Sequence, residues 1–191
     1  HPLMAETSYA AGKAAADLLL TSYVNMFDLD ITIVRPFNNY GPRQNEGALA
    51  AVIPETIKRI RSGQEPFIEG DGLQTRDFIY VDDIASSIAR LLQIPYQELM
   101  QVYNIGSGNT KTMLELANEV QQVYFKRSGC HCPIILGNGE VDLGASDMVS
   151  GKVDRQFVFD VSPSRALGMS PNVPLADGVN KLFDFLEDRP Q

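Results

Sequence analysis

The sequence predicts an α/β fold built on a doubly wound parallel sheet, and three features carry that prediction. Residues 9–27 repeat apolar and alanine positions at helical spacing. Directly after them, Ile31-Thr32-Ile33-Val34-Arg35 is short and β-branched, the composition of a strand buried on both faces. Pro36 and a polar loop follow, so the strand runs out to the kind of edge at which open α/β sheets bind ligands.

In the first helix, Ala10, Ala14, Leu18, Leu19 and Tyr23 fall on related faces, and Thr7 or Ser8 stands at the N-cap. Residues 38–44 form a loop rich in Asn, Gly and Pro. Helical spacing returns over 48–62 through Ile53, Ile57 and Ile60, with Pro54 in the first turn. Residues 65–72 read as a short strand closed by a Gly-Asp-Gly turn, 76–80 as another strand, and 82–92 as a helix capped by Asp82. Val102-Tyr103-Asn104-Ile105-Gly106 is a strand ending in glycine. Gly106-Ser107-Gly108 makes a tight connection to an amphipathic helix over 112–126, capped by Thr112. Residues 129–153 hold glycines at 137, 139, 144 and 151 and no sustained period, which predicts loop with one strand at 134–136. A strand at 157–160, a short helix at 162–167 and a terminal helix at 175–186 complete the chain.

A chain of 191 residues can hold one domain with a real core, or part of a larger two-domain arrangement. Hydrophobic residues at 44% and charged residues at 21% exclude disordered and fibrous classes. No apolar run approaches the roughly 18 residues of a membrane span, and no secretory signal opens the chain, so a cytoplasmic location and no membrane partner are expected. Twenty-four acidic against 16 basic residues give a net charge of -8, which disfavours nucleic acid as a partner. Any phosphate bound here must be held by local groups. Cys130-His131-Cys132 invites a metal, but these are the only two cysteines and the histidines number two, too few well-spaced ligands for a tetrahedral site; no metal is expected.

Tyr9 and Lys13 are four residues apart, which on a helix puts both side chains on one face, a turn apart. An ammonium close to a phenol favours the phenolate and lowers the tyrosine pKa. Such a phenol can take a proton from a hydroxyl as hydride leaves the same carbon. Spacing alone is equally satisfied by a solvated lysine beside a half-buried tyrosine.

Context separates the two. Thr7-Ser8-Tyr9-Ala10-Ala11-Gly12-Lys13-Ala14-Ala15-Ala16-Asp17 resembles the active-site helix of the extended short-chain dehydrogenase/reductase family, and Arg35-Pro36-Phe37-Asn38-Asn39-Tyr40-Gly41-Pro42-Arg43 resembles its substrate loop. Gly70-Asp71-Gly72-Leu73-Gln74-Thr75-Arg76-Asp77-Phe78-Ile79-Tyr80-Val81-Asp82-Asp83 is similar to the segment that meets the diphosphate in nucleotide-sugar epimerases and dehydratases, and Tyr103-Asn104-Ile105-Gly106 to the family's late strand. The four motifs occur in the family's order and do not single out one sugar.

The resemblance implies NAD as cofactor and a nucleotide-diphosphate sugar as substrate. Tyr9 would be the acid/base at the sugar 4-hydroxyl, and Lys13 would lower its pKa and hold the nicotinamide ribose. Pro36 and Phe37 would join them against the cofactor. Asn38, Arg76 and Arg155 would bind the substrate, the amide donating without added charge and the guanidinium clasping the diphosphate with a planar fork. Phe37 and Tyr40 would pack the loop beneath sugar and cofactor.

By the same resemblance the fold is the C-terminal part of a Rossmann-type sheet, residues 1–47 and 76–110, interleaved with a smaller α/β substrate-binding domain, residues 48–75 and 111–191. The glycine-rich dinucleotide turn, the acidic ribose contact and the Ser or Thr that assists the tyrosine are missing from the sequence. With His1 at its start, the chain therefore reads as a fragment that is inactive alone. Oxidation at C4 to a 4-keto sugar is the expected first step of either a 4-epimerase or a 4,6-dehydratase. A nucleotide-uronic acid decarboxylase, or a non-catalytic binding or assembly module, are the alternatives. Relatives of this kind often pair through the tyrosine-bearing helix, so a homodimer is expected.

Overall fold

The structure is a computed structural model that describes residues 5, 7–44, 52–137 and 160–188. Helix α1 (Ser8–Phe27) opens the chain, with the Thr7 hydroxyl accepting from the Ala10 N–H at 3.1 Å, as the N-cap reading predicts. Strands β1 (Ile33–Pro36) and β2 (Asn38–Tyr40) follow, separated by Phe37 alone. Then come α2 (Val52–Arg61), β3 (Phe67–Glu69), β4 (Thr75–Tyr80), α3 (Val81–Leu91) and β5 (Val102–Ile105). The described chain closes with β6 (Thr110–Thr112), α4 (Met113–Ser128), β7 (Ile135–Gly137), α5 (Ser162–Ala166) and α6 (Leu175–Glu187).

The α/β class holds, and three of the four strand pairings are parallel: β1 with β5, β2 with β4, and β3 with β7. Among the described strands only β6 runs antiparallel, against the start of β4. The β1 register runs from Ile33 opposite Val102 to Pro36 opposite Ile105, and the β2 register from Asn38 opposite Phe78 to Tyr40 opposite Tyr80. The chain thus leaves one neighbour and joins another across a single residue.

Several local readings are corrected. Asn38, Asn39 and Tyr40 belong to a strand rather than to the predicted loop, because β4 offers a free ladder that outweighs their turn-forming composition. Asp82 does not cap α3. The strand β4 runs straight into the helix, so Tyr80 occupies the N-cap without a side-chain bond and Asp82 falls inside the first turn. β6 was unread, since three residues without a hydrophobic alternation give no local signal. The second predicted helix is described from Val52 to Arg61, and the predicted strand at 134–136 is shifted by one residue. The strand predicted at 157–160 lies, up to residue 159, outside the described residues.

Helices α2, α4 and α6 pack into one core through Ile53, Ile57 and Ile60, Leu116 and Val120, and Val179, Leu182 and Phe183, joined by Tyr40 and Tyr80 from the strand ends. The spacings of three and four are those of single helix faces. A second cluster joins Ile79, Ile84, Leu91, Tyr103, Ile105 and Met169 beneath α3 and β5. Arg127 of α4 clamps α6 over the first core, reaching Asn180 at 2.6 Å, Asp184 at 2.7 Å and Glu187 at 2.6 Å while lying on the Phe183 ring. Helix α1 buries none of its residues fully. It is tied to β1 by the Arg35 guanidinium, which donates to the Asp17 carboxylate at 2.8 and 2.5 Å.

Phe183 is fully buried and stacks on Tyr124. Replacing it with alanine should lower unfolding free energy in urea by about 3–5 kcal/mol, the range for a large aromatic lost from a core. Burial above all, then Tyr80 and Asp83 nearby, pushes the Tyr40 phenol above the usual tyrosine range. The folded chain therefore holds Tyr40 neutral where the unfolded chain ionises, so this contribution is complete below about pH 10 and is lost as pH rises further. Between about pH 9 and pH 11 the wild type should lose more stability than Tyr40→Phe, measured by denaturant titration at each pH. Tyr80, raised the same way, leaves the variant a residual slope.

Candidate active site

The first turns of α1 present the predicted pair. Lys13 Nζ lies 5.8 Å from the centre of the Tyr9 ring, so the two side chains share a face as their spacing requires. Tyr9 is 74% exposed, which leaves its phenol open to a ligand. Among the described residues no carboxylate pairs with Lys13. Asp17, one turn further along, is taken by Arg35, the residue before Pro36. The anchor therefore sits about 6 Å along the helix axis from Lys13.

At the end of β1 the backbone N–H of Phe37 donates to the Ile105 carbonyl at 2.9 Å, one residue beyond the ladder. The Phe37 ring lies directly on Gly106. A Cβ at position 106 would stand 2.1 Å from Phe37 Cδ2 and 2.9 Å from Asp77 Oδ2, so only glycine fits there. Asn38, next along, donates its side-chain amide to the backbone carbonyl of Asp77 at 3.0 Å. This differs from an asparagine bonded to its own turn: the amide reaches across to β4 and keeps a second N–H and an acceptor.

Arg76 is exposed on β4, opposite Lys111 of β6. Its Nη1 donates to the neighbouring Thr75 carbonyl at 2.8 Å, and no carboxylate among the described residues pairs with it. Lys111 is neutralised by Glu119 at 2.7 Å. Arg76 is thus a cation with most of its donors unspent. Phe37 and Asn38 contact Gly106 and Asp77, and Arg76 precedes Asp77 on β4, whereas Tyr9 and Lys13 stand on α1, whose tie to β1 is the Arg35–Asp17 pair. Arg155, the third predicted substrate contact, lies outside the described residues.

Asp77 is the residue that the sequence reading missed. It is 3% exposed, and its carboxylate accepts from the Ser107 N–H at 2.8 Å, the Ser107 hydroxyl at 2.6 Å and the Gly108 N–H at 2.7 Å. Gly108 has φ +71, and a Cβ there would meet the Arg165 guanidinium at 2.2 Å. That guanidinium donates to the Ser107 carbonyl at 2.8 Å, so the turn is held from both sides. The sequence did carry a signal: in β4 the carboxylate falls in phase with buried Ile79 rather than with exposed Arg76. Tyr40 proves to be core, 2% exposed, with its hydroxyl donating to the Leu175 carbonyl.

A cavity of about 230 Å³ lies between Tyr40, Phe78, Ser107, Lys111 and residues 171–175, and none of Tyr9, Lys13, Asn38 or Arg76 lines it. Asp83 shapes its rim by accepting from the backbone N–H groups of Asn172 at 3.0 Å and Val173 at 3.1 Å. Cys130 and Cys132 are free thiols, and among the described residues no group of three or more His, Cys, Asp or Glu could hold a metal ion. No helix among the described residues is long and apolar enough to cross a membrane.

A family model described as the NAD dependent epimerase/dehydratase family matches residues 1–106. The low-salt glycan biosynthesis protein Agl12 of Haloferax volcanii is 32% identical over 96% of this chain and 54% of its own length. A UDP-glucose 4-epimerase of Mycolicibacterium smegmatis is 28% identical over 100% of this chain and 56% of its own. Among solved structures, a UDP-N-acetylglucosamine 4-epimerase from Methanobrevibacter ruminantium, in complex with UDP-N-acetylmuramic acid, superposes with a TM-score of 0.80. It is 27% identical, covering 96% of this chain and 55% of that one. The chain spans about half the length of the curated relatives it matches.

The contact between Phe37 and Gly106 is open to a double-mutant cycle. Gly106→Ala alone should destabilise by about 1–3 kcal/mol through overpacking. Combined with Phe37→Ala, which vacates the space, its cost in urea denaturation should fall by at least half; equal costs in both backgrounds would show that the ring does not press on residue 106.

Proposed function

Because the chain belongs to the NAD-dependent epimerase/dehydratase family, we propose that it carries the acid/base pair and the substrate-binding residues of an enzyme that oxidises a nucleotide-linked sugar at C4. Residues 1–47 and 76–110 are assigned to the nucleotide-binding sheet, and residues 48–75 and 111–191 to the substrate-binding part. The observation that carries the reading is the exposed Tyr9 phenol with the Lys13 ammonium beside it, without a carboxylate partner among the described residues, within the segment that the family model matches.

Tyr9 acts as the base toward the sugar 4-hydroxyl. The Lys13 charge stabilises the phenolate, and with no carboxylate partner it can also donate to a ribose hydroxyl. Asn38 and Arg76 bind the diphosphate, Arg76 with a planar fork and Asn38 with its remaining N–H. Arg155 is assigned to the same anion. These residues fit NAD at its nicotinamide end: an open phenol, an ammonium free to bond, and Pro36 with the Phe37 ring seated on Gly106 as a flat wall. When bound, NAD supplies the hydride acceptor and donor at C4. The resulting 4-keto sugar serves both epimerisation and 4,6-dehydration, and the residues of this chain act identically in both.

The apolar face left open on α1 by Leu18, Leu19, Tyr23, Met26 and Phe27 supports a homodimer paired through that helix. A cytoplasmic location belongs to the same proposal, in keeping with nucleotide-linked substrates and free thiols.

The test is turnover of UDP-glucose and dTDP-glucose with NAD, followed by NMR of the sugar, in the enzyme completed with a nucleotide-binding half in the same or a second polypeptide. Tyr9→Phe should slow turnover by roughly 10²–10⁴-fold, the range for a lost general base, with substrate affinity preserved. A Tyr9→Phe variant that turns over at the wild-type rate rejects the mechanism.

A further inference from the structure

Asp77 has no part in the chemistry just described, yet it bonds Asn38 and the 106–108 turn and neighbours Arg76 on β4. Its backbone carbonyl receives the Asn38 amide at 3.0 Å. Its Oδ1 takes both the N–H and the hydroxyl of Ser107, and its Oδ2 takes the N–H of Gly108. Those bonds fix the turn whose first residue, Gly106, supports the Phe37 ring. Arg76 is the adjacent residue of the same strand, and because side chains alternate along a strand it leaves the opposite face.

A carboxylate 3% exposed would be costly to bury without partners, and three charge-assisted bonds at 2.6–2.8 Å are what offset that cost. The geometry demands an acceptor-only group. An asparagine here would keep one oxygen, while its amide nitrogen would face an N–H of Ser107 or Gly108, donor against donor. The pleat of β4 is thereby locked at residue 77, and with it the direction in which Arg76 leaves the strand.

We propose that Asp77 is the positioning residue of the diphosphate site: its caged carboxylate holds β4 and the 106–108 turn so that Arg76 and Asn38 converge on one anion. This rests on the function proposed above, in which those two residues bind the diphosphate. Asp77 touches no ligand itself.

The test is calorimetric titration of the enzyme completed with its nucleotide-binding half, loaded with NAD, with UDP-glucose and dTDP-glucose, and with uridine and thymidine as controls that lack phosphate. Asp77→Asn should weaken the diphosphate sugars by about tenfold, the equivalent of one unmet buried hydrogen bond, and leave nucleoside affinity unchanged. In an Asn38→Ala, Arg76→Gln background, where there is nothing left to position, the same substitution should have no effect on affinity. Thermal melting runs alongside: a purely structural role would lower the melting temperature and the fraction of binding-competent chain without changing the ratio of the two affinities, and that result overturns the inference. If Asp77→Asn does not fold, Ser107→Ala, which removes one donor of three, should give a smaller loss of the same selectivity; no loss overturns the inference. Binding of the diphosphate sugars by the wild type with equal binding by Asp77→Asn rejects the positioning role alone. A completed wild-type enzyme that binds neither diphosphate sugar rejects the substrate reading and this inference together.

Discussion

The chain between Ile33 and Tyr40 changes its hydrogen-bonding partner once, at Phe37, and the candidate site is built on that change. As far as Pro36 the ladder is with β5, and from Asn38 it is with β4. The residue at the switch lies between the two ladders, and its ring rests on Gly106, where any side chain would meet it. The two neighbours must then be held at a fixed separation. Asp77 does this, since its main chain belongs to β4 and its side chain grips the turn that ends β5. A sheet that parts its strands at one residue gives up ladder bonds, and the carboxylate cage supplies replacements for the freed N–H groups of Ser107 and Gly108.

Features that depend on neighbours within one helical turn were legible in the sequence, and features that depend on distant partners were not. The Thr7 cap, the Tyr9 and Lys13 face and the Thr112 cap are all closed within four residues and stand where the residues predict them, the last completed by Glu115 into a capping box. Asp82 shows the limit of such local rules. An aspartate before an apolar run reads as a cap, but the preceding strand enters the helix without a loop and carries the cap position back to Tyr80. Its neighbour Asp83 does cap backbone N–H groups, those of Asn172 and Val173, from 89 and 90 residues away. The Asp77 cage spans 30 residues. No periodicity contains that pairing; only the burial phase of β4 hints at it.

The two sides of the molecule are secured by different physics. Helices α2, α4 and α6 interlock through apolar faces, and Arg127 adds its bonds over a core that is already closed. Helix α1 has no such core. Its one ion pair among the described residues, Arg35 with Asp17, is partly solvated, with side-chain exposures of 42% and 21%, and pairs of that kind contribute little to stability in water. What the pair gives is orientation: a planar guanidinium bound to one carboxylate oxygen fixes the rotation of α1 against β1, and so the direction in which Tyr9 and Lys13 face.

That orientation is worth having only if the face is later enclosed. A phenol that is 74% exposed, beside an ammonium with no ion pair among the described residues, stands open to water. The proposed base needs low dielectric to work. Around it the surface is unfinished in a consistent way: β1, β-branched and composed as a strand buried on both sides, has β5 on one edge and no strand on the other among the described residues, and α1 displays Leu18, Leu19, Met26 and Phe27. The unpaired edge asks for hydrogen bonds, which a further parallel strand provides. In the proposed enzyme the nucleotide-binding half takes that edge, and the second copy of the proposed homodimer covers the apolar face of α1. The bound cofactor and sugar of that proposal then take water from the face that Tyr9 and Lys13 share.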